Sequence, residues 1–273
     1  MIPAAFDYEV AESVEHAVEL LGRDGAKLLA GGHSLLPAMR LRIARPSTLV
    51  DVGRVSGLRY VREAPGTDPG LSLAIGALTR HHDLALDPLL RERCPVLAQT
   101  ASLIGDPQVR HRGTIGGSAA HGDPASDLPT VLLALEAELV AHGPGGERTI
   151  AATDFFTGVF ETALGPQDVL TEIRVPAATG AYVKFHRRAQ DWATVGAVAV
   201  RVNGDIRVAL TSMGATPLRA SAVEQALASG ADPGEAAEKA AEGTSPPSDV
   251  SGSSDYRRHL ARVLVRRALE LAP

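Results

Sequence analysis

Residues 26–34 read AKLLAGGHS, a short apolar run followed at once by two glycines, a histidine and a serine. The apolar run predicts a buried strand, and the adjacent Gly31 and Gly32 let the backbone turn sharply and approach a ligand closely. Several N–H groups converge in such a turn and, with the hydroxyl of Ser34, suit the oxygens of a phosphate. Taken alone, the stretch also fits an ordinary tight turn between two elements.

The residues on either side of this stretch predict a small α/β unit. Ser13 is expected to cap a helix whose apolar residues recur at helical spacing until Gly22 ends it. A second short strand is predicted over residues 48–52, and Gly53 closes it. The glycine turn at residues 31–34 therefore follows one of the strands of this unit.

A second glycine-rich stretch, residues 114–127, reads TIGGSAAHGDPASD. Its first part, residues 114–118, is rich enough in glycine to predict a segment without regular structure. Two glycine-rich cradles far apart in the chain suit a diphosphate that is held from two sides. The alternative is a structured loop in which Asp127 caps a helix over residues 128–136. Neither stretch carries the Gly-x-Gly-x-x-Gly or P-loop pattern, so the usual dinucleotide and NTPase folds lack support.

The remainder of the chain divides into a mixed middle part and a C-terminal third. In the middle part, Thr79 is expected to cap a helix, and further elements are predicted over residues 95–104 (helix), 58–62, 71–75, 138–142, 147–151 and 169–175 (strands). In the last third, Asn203 and Gly204 tolerate positive φ between two apolar runs and predict a hairpin. Helices are predicted over 221–229 and 255–271, with a mobile loop over 230–254 between them.

Length and composition place the chain among globular proteins with their own core. It has 273 residues, of which 45% are hydrophobic and 22% charged. The net charge of −5, the aromatic content of 4% and the absence of a basic block give no indication of a nucleic-acid groove. No apolar run approaches the roughly 20 residues of a membrane helix, and the first residues lack the pattern of a secretory signal. The single cysteine, Cys94, excludes an all-cysteine iron–sulfur or zinc site within this chain and fits a reducing cytoplasm.

Two other classes of protein remain open on the residues alone. One is a metal-dependent hydrolase in which His121, Asp123 and Asp127 hold a divalent ion, with His33 or His111 joining. The other is a nucleotide-binding module without catalysis. No His-Glu-x-x-His or Gly-x-Ser-x-Gly motif supports hydrolysis, although a Ser–His–Asp arrangement is compatible with the spacing.

Outside these motifs, two features have simpler interpretations. His81 and His82 precede an apparent helix and are interpreted as a solvated turn. Cys94 stands before a proline and is interpreted as a small buried residue rather than a nucleophile.

Over nearly its whole length, the sequence resembles the FAD-binding medium subunits of molybdenum hydroxylases, of the carbon monoxide dehydrogenase and xanthine dehydrogenase type. The segments that carry the resemblance are 1–8, 28–37, 114–118, 123–129, 184–188, 214–220 and 256–260. Ser118 departs from the family, which usually has asparagine there. The single cysteine argues against a related branch that reduces aromatic acyl-CoA esters with an additional cysteine-ligated cluster in this subunit.

The resemblance implies an α+β protein with the PCMH-type FAD-binding fold. Two α/β sub-domains, residues 1–55 and 56–176, would hold FAD between them, and an antiparallel sheet with helices would follow over 177–273. No catalytic residue and no metal site are implied in this chain. The implied FAD contacts on one side of the diphosphate are Leu29, Ala30, Gly31, Gly32, His33, Ser34 and Leu35, and those on the other are Thr114, Ile115, Gly116, Gly117 and Ser118. Asp127 is implied near the cofactor, and Ile173 and Lys184 as an apolar wall and a cation near the flavin ring.

The function that the resemblance implies is electron relay. A large subunit would oxidise substrate at a molybdenum–pterin centre, and a small subunit would pass electrons through [2Fe–2S] clusters to FAD in this chain. A dimer of such heterotrimers is expected, in the cytoplasm and without a membrane span or nucleic acid. The alternative is a self-contained flavin oxidoreductase of the same fold. The substrate, and the choice among quinone, NAD and oxygen as acceptor, are left open.

Overall fold

The computed structural model describes residues 2–64 and 71–272. Residues 1, 65–70 and 273 lie outside the described part. Residue 1 begins the first predicted sub-domain, residues 65–70 fall inside the second, and residue 273 ends the third. Within the described part, the strands form sheets of three, five and four strands and a two-stranded ribbon. The α+β class predicted from the sequence is confirmed.

The first sheet is parallel, with strand order β1-β3-β2. Its strands and helices are β1 Asp7–Val10, α1 Val14–Leu21, β2 Ala26–Leu29, α2 Leu35–Arg40 and β3 Thr48–Asp51. Helix α1 begins where Ser13 accepts the N–H of His16 at 3.1 Å, and it ends at Gly22, as predicted. The loop after the edge strand β2 meets residues 112–113 of the next part of the chain.

The second sheet has the order β4-β5-β10-β6-β7, and its neighbouring strands are antiparallel. Its strands are β4 Val61–Glu63, β5 Leu71–Gly76, β6 Glu138–Gly143, β7 Gly146–Ala151 and β10 Val169–Pro176. The accompanying elements are α3 His81–Leu86, α4 Pro88–Arg93, α5 Pro95–Ser102, α6 Pro107–Arg112, α7 Ile115–His121, α8 Asp127–Ala134, α9 Ala152–Phe155, β8 Phe156–Gly158 and β9 Glu161–Thr162. Buried side chains of these helices other than α6, and of β5, β6 and β10, make up most of the main hydrophobic core.

The third sheet is antiparallel, with the order β11-β12-β13-β14. Its elements are β11 Thr179–Phe185, β12 Val195–Val202, β13 Asp205–Thr211, β14 Leu218–Arg219, α10 Ser221–Ala228, α11 Pro233–Ala237 and α12 Ser254–Leu271. The predicted hairpin is confirmed, with φ of 51° at Asn203 and 94° at Gly204.

The stretch 230–254 is more ordered than predicted. Asp232 accepts the N–H groups of Gly234 and Glu235 and starts α11, which continues into a 3-10 helix over Glu238–Ala241. Ala236, Ala237 and Ala240 are buried in the same core as α12. Alanines at helical spacing bury enough surface for packing, although the composition of the stretch resembles that of a loop.

Two other predicted details are wrong. Thr79 caps no helix: its hydroxyl accepts the N–H of Tyr60 and donates to the carbonyl of Tyr60, while α3 begins at His81. The strand predicted from Leu58 begins only at Val61, because Leu58 packs in the core beneath the first sheet.

None of the described helices combines the length and the apolar character needed to cross a bilayer.

Candidate cofactor-binding site

A cavity of about 920 Å³ lies where the three main parts of the chain meet. The loop after β2 forms one wall and the start of α7 forms another. Val169 and Leu170 at the start of β10 also line it, and β11 and the loop after it contribute Lys184 and Trp192. A cavity of this size lies in the range typical of cofactor sites between sub-domains.

The loop after β2 offers a row of unused donors. Among the described residues, the backbone N–H groups of Gly31 to Leu35 donate to no other protein atom. Gly32 has φ of +82°, a conformation that favours glycine and helps to turn successive N–H groups toward one side. Gly31 to Leu35 all line the cavity. The loop therefore has the features of an anion-binding cradle.

The second glycine-rich stretch is helical, contrary to the prediction of an irregular loop. Thr114 caps α7 by accepting the N–H of Gly117 at 3.1 Å. A Cβ on Gly116 would lie 2.7 Å from the carbonyl oxygen of Ala77, so glycine allows the helix to pack closely against the end of β5. The N–H groups of Ile115 and Gly116 donate to the carbonyls of Thr79 and Ala77. This stretch thus contributes close approach and hydroxyl groups rather than a row of free N–H donors.

The two glycine-rich stretches lie against each other. A Cβ placed on Gly31 would lie 2.9 Å from the Cα of Gly113, and one on Gly117 would lie 4.0 Å from the Cβ of Ala30. Thr114, Gly116, Gly117 and Ser118 line the cavity together with the loop after β2. The structure therefore brings the two predicted motifs to one place.

Asp127 is a buried charge rather than a helix cap. Ser126 occupies the N-cap position of α8, and the side chain of Asp127 instead accepts from the Lys184 ammonium at 2.7 Å and from the Tyr182 hydroxyl at 2.6 Å. Asp127 is 7% exposed, and burial raises the pKa of its carboxyl although both partners act to lower it. Asp127 and Lys184 both line the cavity, so their ion pair forms a charged part of its lining.

Tyr182 is a residue of this site that the sequence did not indicate. Its hydroxyl also lies 3.4 Å from Oγ1 of Thr211, which in turn donates to Thr130 at 2.8 Å. Burial and the charge of Asp127 raise the pKa of Tyr182 well above its ordinary value, so the hydroxyl remains a donor. The only sequence signal was its place two residues before Lys184, on the same face of a strand.

Two of the predicted contact residues are not brought to the cavity. Ile115 and Ile173 are fully buried in the main core, and neither lines the cavity. Ile173 lies in the middle of β10, between Ile75 and Leu139 on the neighbouring strands, so its side chain packs in the core of the second sheet. The apolar wall is formed instead by Ile104, Val169 and Leu170.

His81 is buried, contrary to the prediction of a solvated turn. It is 5% exposed, lines the cavity and lies against Gly113, where a Cβ would come within 2.6 Å of its ring. Burial, together with the charge of Arg80, lowers the pKa of His81 from 6.5 to about 4. Its Nδ1 has no hydrogen-bond partner among the described residues.

The burial of His81 predicts acid sensitivity. The unfolded chain binds a proton at this histidine below pH 6.5, whereas the folded chain does so only below about pH 4. The contribution of His81 to the free energy of unfolding should therefore be complete above pH 6.5. It should fall by about 3 kcal/mol as the pH decreases from 6.5 to about 4. Chemical denaturation at several pH values measures the slope. His81→Gln should flatten it and His82→Gln should not; an unchanged slope in His81→Gln would contradict the assignment.

Aromatic side chains frame the mouth of the cavity. Trp192 is 66% exposed, and Phe160, also exposed, packs against His121 with tilted rings whose centroids are 5.0 Å apart. Burial lowers the pKa of His121. All three line the cavity, and neither aromatic residue belongs to a motif that the sequence indicated.

The metal interpretation gains no support from this geometry. Both oxygens of Asp127 are engaged by Tyr182 and Lys184, and Asp123 accepts the N–H of Ala125 at 2.9 Å. In the described part of the chain, no group of three or more His, Cys, Asp or Glu side chains is arranged to hold a metal ion. Cys94 is free and buried, and burial raises the pKa of its thiol to about 12.

Comparison with known proteins identifies the family. Residues 4–178 match the FAD binding domain in molybdopterin dehydrogenase, and residues 180–272 match the CO dehydrogenase flavoprotein C-terminal domain. The chain belongs to the FAD-binding medium subunits of molybdenum hydroxylases, of the carbon monoxide dehydrogenase and xanthine dehydrogenase type. It is an oxidoreductase subunit whose cofactor is FAD, as the sequence predicted, so the hydrolase and the non-catalytic binding module are set aside.

Two relatives and one solved structure show the extent of the similarity. The carbon monoxide dehydrogenase medium chain of Hydrogenophaga pseudoflava is 46% identical, covering 100% of this chain and 98% of the relative. The 6-hydroxypseudooxynicotine dehydrogenase complex subunit alpha of Paenarthrobacter nicotinovorans is 39% identical, covering 100% and 96%. A solved structure of carbon monoxide dehydrogenase from Hydrogenophaga pseudoflava that lacks the Mo-pyranopterin moiety has a TM-score of 0.93 at 45% identity, covering 100% and 98%.

The residues present fit FAD. The free N–H groups of Gly31 to Leu35 suit its diphosphate, and a Cβ at Gly31 would close the gap between the two stretches. The cavity is lined by an apolar wall and by the polar Asp127–Lys184 pair. A ligand with aromatic rings and a polar linker needs both kinds of lining.

Proposed function

We propose that this chain is the electron-exit subunit of a molybdenum hydroxylase, receiving electrons from [2Fe–2S] clusters on a small subunit and delivering them to an external acceptor. When bound, FAD accepts single electrons and releases them as a pair. The single observation that carries the proposal is the cavity that joins both family segments around free N–H donors. The division 1–55, 56–176 and 177–273 is proposed on the same ground, since each part holds one main sheet.

The chain's own residues are proposed to hold and cover the cofactor. The N–H groups from Gly31 to Leu35 bind the diphosphate on one side, and Thr114 to Ser118 close on it from the other. Lys184, oriented by the carboxylate of Asp127, places a positive charge in the cavity. Trp192 provides an aromatic face at the mouth, which suits a planar ring system.

The iron–sulfur clusters are proposed to arrive on a partner. Such clusters need several thiolate ligands, and this chain has only Cys94, which is buried. The molybdenum–pterin centre is assigned to a large subunit. A dimer of these heterotrimers is the expected assembly, because two-fold closure is the commonest symmetry, and the cytoplasm is the expected location for a chain with a free thiol.

Reconstitution tests this function. The FAD-loaded chain alone should show no turnover with small substrates. Together with the large and small subunits co-purified from the native host, it should reduce an artificial acceptor. The large and small subunits without this chain serve as control: substrate should still bleach their cluster absorbance, while reduction of the acceptor should drop sharply.

Two outcomes would contradict the proposal. If the chain purifies from its host without iron or molybdenum partners and reduces its own flavin with a small substrate, it is a self-contained oxidoreductase. If the large and small subunits reduce the acceptor equally well without this chain, electrons leave the complex by another route.

A further inference from the structure

The aromatic face of the cavity is fixed by contacts from distant parts of the chain. Trp192, the only tryptophan in the sequence, lies on the loop 186–194 between β11 and β12. At the end of this loop, the carbonyl of Ala193 accepts the hydroxyl of Ser212 at 2.8 Å. The carbonyl of Thr194 accepts an N–H from the guanidinium of Arg257. The N–H of Thr194 also donates to the carbonyl of Phe185 at the end of β11, at 2.8 Å. The residues that directly follow Trp192 are thus held by the end of β11, by Ser212 directly after β13, and by α12.

Arg257 is an unusual anchor because it is a buried cation. Only 4% of its side chain is exposed, and Nη2 donates to both carboxylate oxygens of Asp249 at 2.7 Å. Within the described residues, its Nε has no partner. A buried charge that loses its counter-ion is strongly destabilised, so the position of the guanidinium depends on Asp249.

The turn that contains Asp249 also holds the beginning of the loop. Asp249 accepts the N–H of Ser251 at 2.8 Å and pairs with Gly252 through the backbone. The carbonyl of Val250, in the same turn, accepts a hydrogen bond from an N–H of the Arg187 guanidinium. One turn therefore contacts both ends of the loop: the entry through Arg187 and the exit through Arg257.

We propose that Arg257 and Asp249 are positioning residues that set the place of Trp192 at the mouth of the cavity. They act through the carbonyl of Thr194, which is two residues from Trp192, and neither of them lines the cavity. The part of this inference that concerns FAD rests on the proposed function; the part that concerns Trp192 does not. The competing role is purely structural, namely docking α12 onto the third sheet.

The test compares two aspartate-to-alanine variants of the full chain. Asp249→Ala removes the counter-ion of Arg257, whereas Asp255→Ala removes the partner of Arg258 from an exposed pair in the first turn of the same helix. Acrylamide quenching of Trp192 fluorescence is measured on the FAD-free chain, and unfolding is followed by far-UV circular dichroism. In Asp249→Ala the quenching constant should rise by up to about half, because Trp192 is already 66% exposed in the wild type, while helix content is retained. FAD binding should weaken about tenfold, and the Asp255→Ala control should match the wild type.

A second variant keeps the proposal testable if Asp249→Ala does not fold. Arg257→Lys keeps the charge but loses the fork that reaches Asp249 and Thr194 together, and it should show the same rise in quenching. Quenching equal to that of the wild type in a folded variant would overturn the proposal. If quenching rises while the wild-type chain binds no FAD, the positioning role stands and the proposed function fails.

Discussion

Replacing Gly31 by alanine is expected to remove most of the FAD from the purified chain. The added Cβ would lie 2.9 Å from the Cα of Gly113 and from the carbonyl carbon of Arg112, and closer still to that carbonyl's oxygen. Backbone atoms cannot rotate out of the way, so the loop after β2 must move away from the end of α6. Overpacking of this kind costs about 1–3 kcal/mol, which corresponds to a roughly fivefold to 150-fold weaker affinity.

The measurement is flavin absorbance per chain after purification, with the affinity of the FAD-free chain by titration. Gly145→Ala is the matched control, because its Cβ would meet nothing within 4 Å in the turn between β6 and β7. That variant should keep its flavin. A full flavin complement in a folded Gly31→Ala chain would place the diphosphate elsewhere.

Replacing Asp127 by alanine is expected to lower both stability and FAD affinity. The substitution leaves the buried Lys184 ammonium without its carboxylate and the Tyr182 hydroxyl without its acceptor. Breaking a buried pair from one side costs about 3–5 kcal/mol of unfolding free energy. A mere helix cap would cost about 0.5–2 kcal/mol, so the size of the loss distinguishes the two roles.

A double variant separates stability from binding. Asp127→Ala with Lys184→Met removes both charges, and replacement of a buried pair by apolar groups is often nearly neutral. Chemical denaturation should therefore show that much of the lost stability returns. FAD affinity should remain low, because the cavity still lacks the ammonium. If FAD affinity recovered along with stability, the pair would serve only to support the fold. Glu270→Ala is the control for loss of a surface charge, because Glu270 forms an exposed pair with Arg266.

Elements that depend on neighbours in sequence were predictable. Ser13 caps its helix through a contact three residues away, and the Asn203–Gly204 turn follows from two residues that accept positive φ. The glycine turn after β2 was predictable for the same reason. Its use as a row of free donors followed from the strand before it and the two glycines, without knowledge of any distant residue.

Features that depend on distant partners were missed or misassigned. The helix α7 packs closely on Ala77 because residue 116 is glycine, a contact that glycine content alone cannot indicate. His81 is buried by Gly113 and its surroundings, whereas its sequence neighbours are polar. Asp127 stands in the sequence where a helix cap is expected. Its side chain instead binds Lys184 and Tyr182 of the third sheet, which are distant in the sequence.

The pair of Asp127 and Lys184 also affects which domains of related chains can be combined in one chain. Asp127 belongs to the segment that matches one family domain, residues 4–178, and Lys184 to the segment that matches the other, residues 180–272. The boundary near residue 179 divides the chain for classification, yet a buried ion pair spans it. A chimera of two relatives joined there, whether made by recombination or in the laboratory, inherits a matched cavity only when both parents supply compatible halves of this pair.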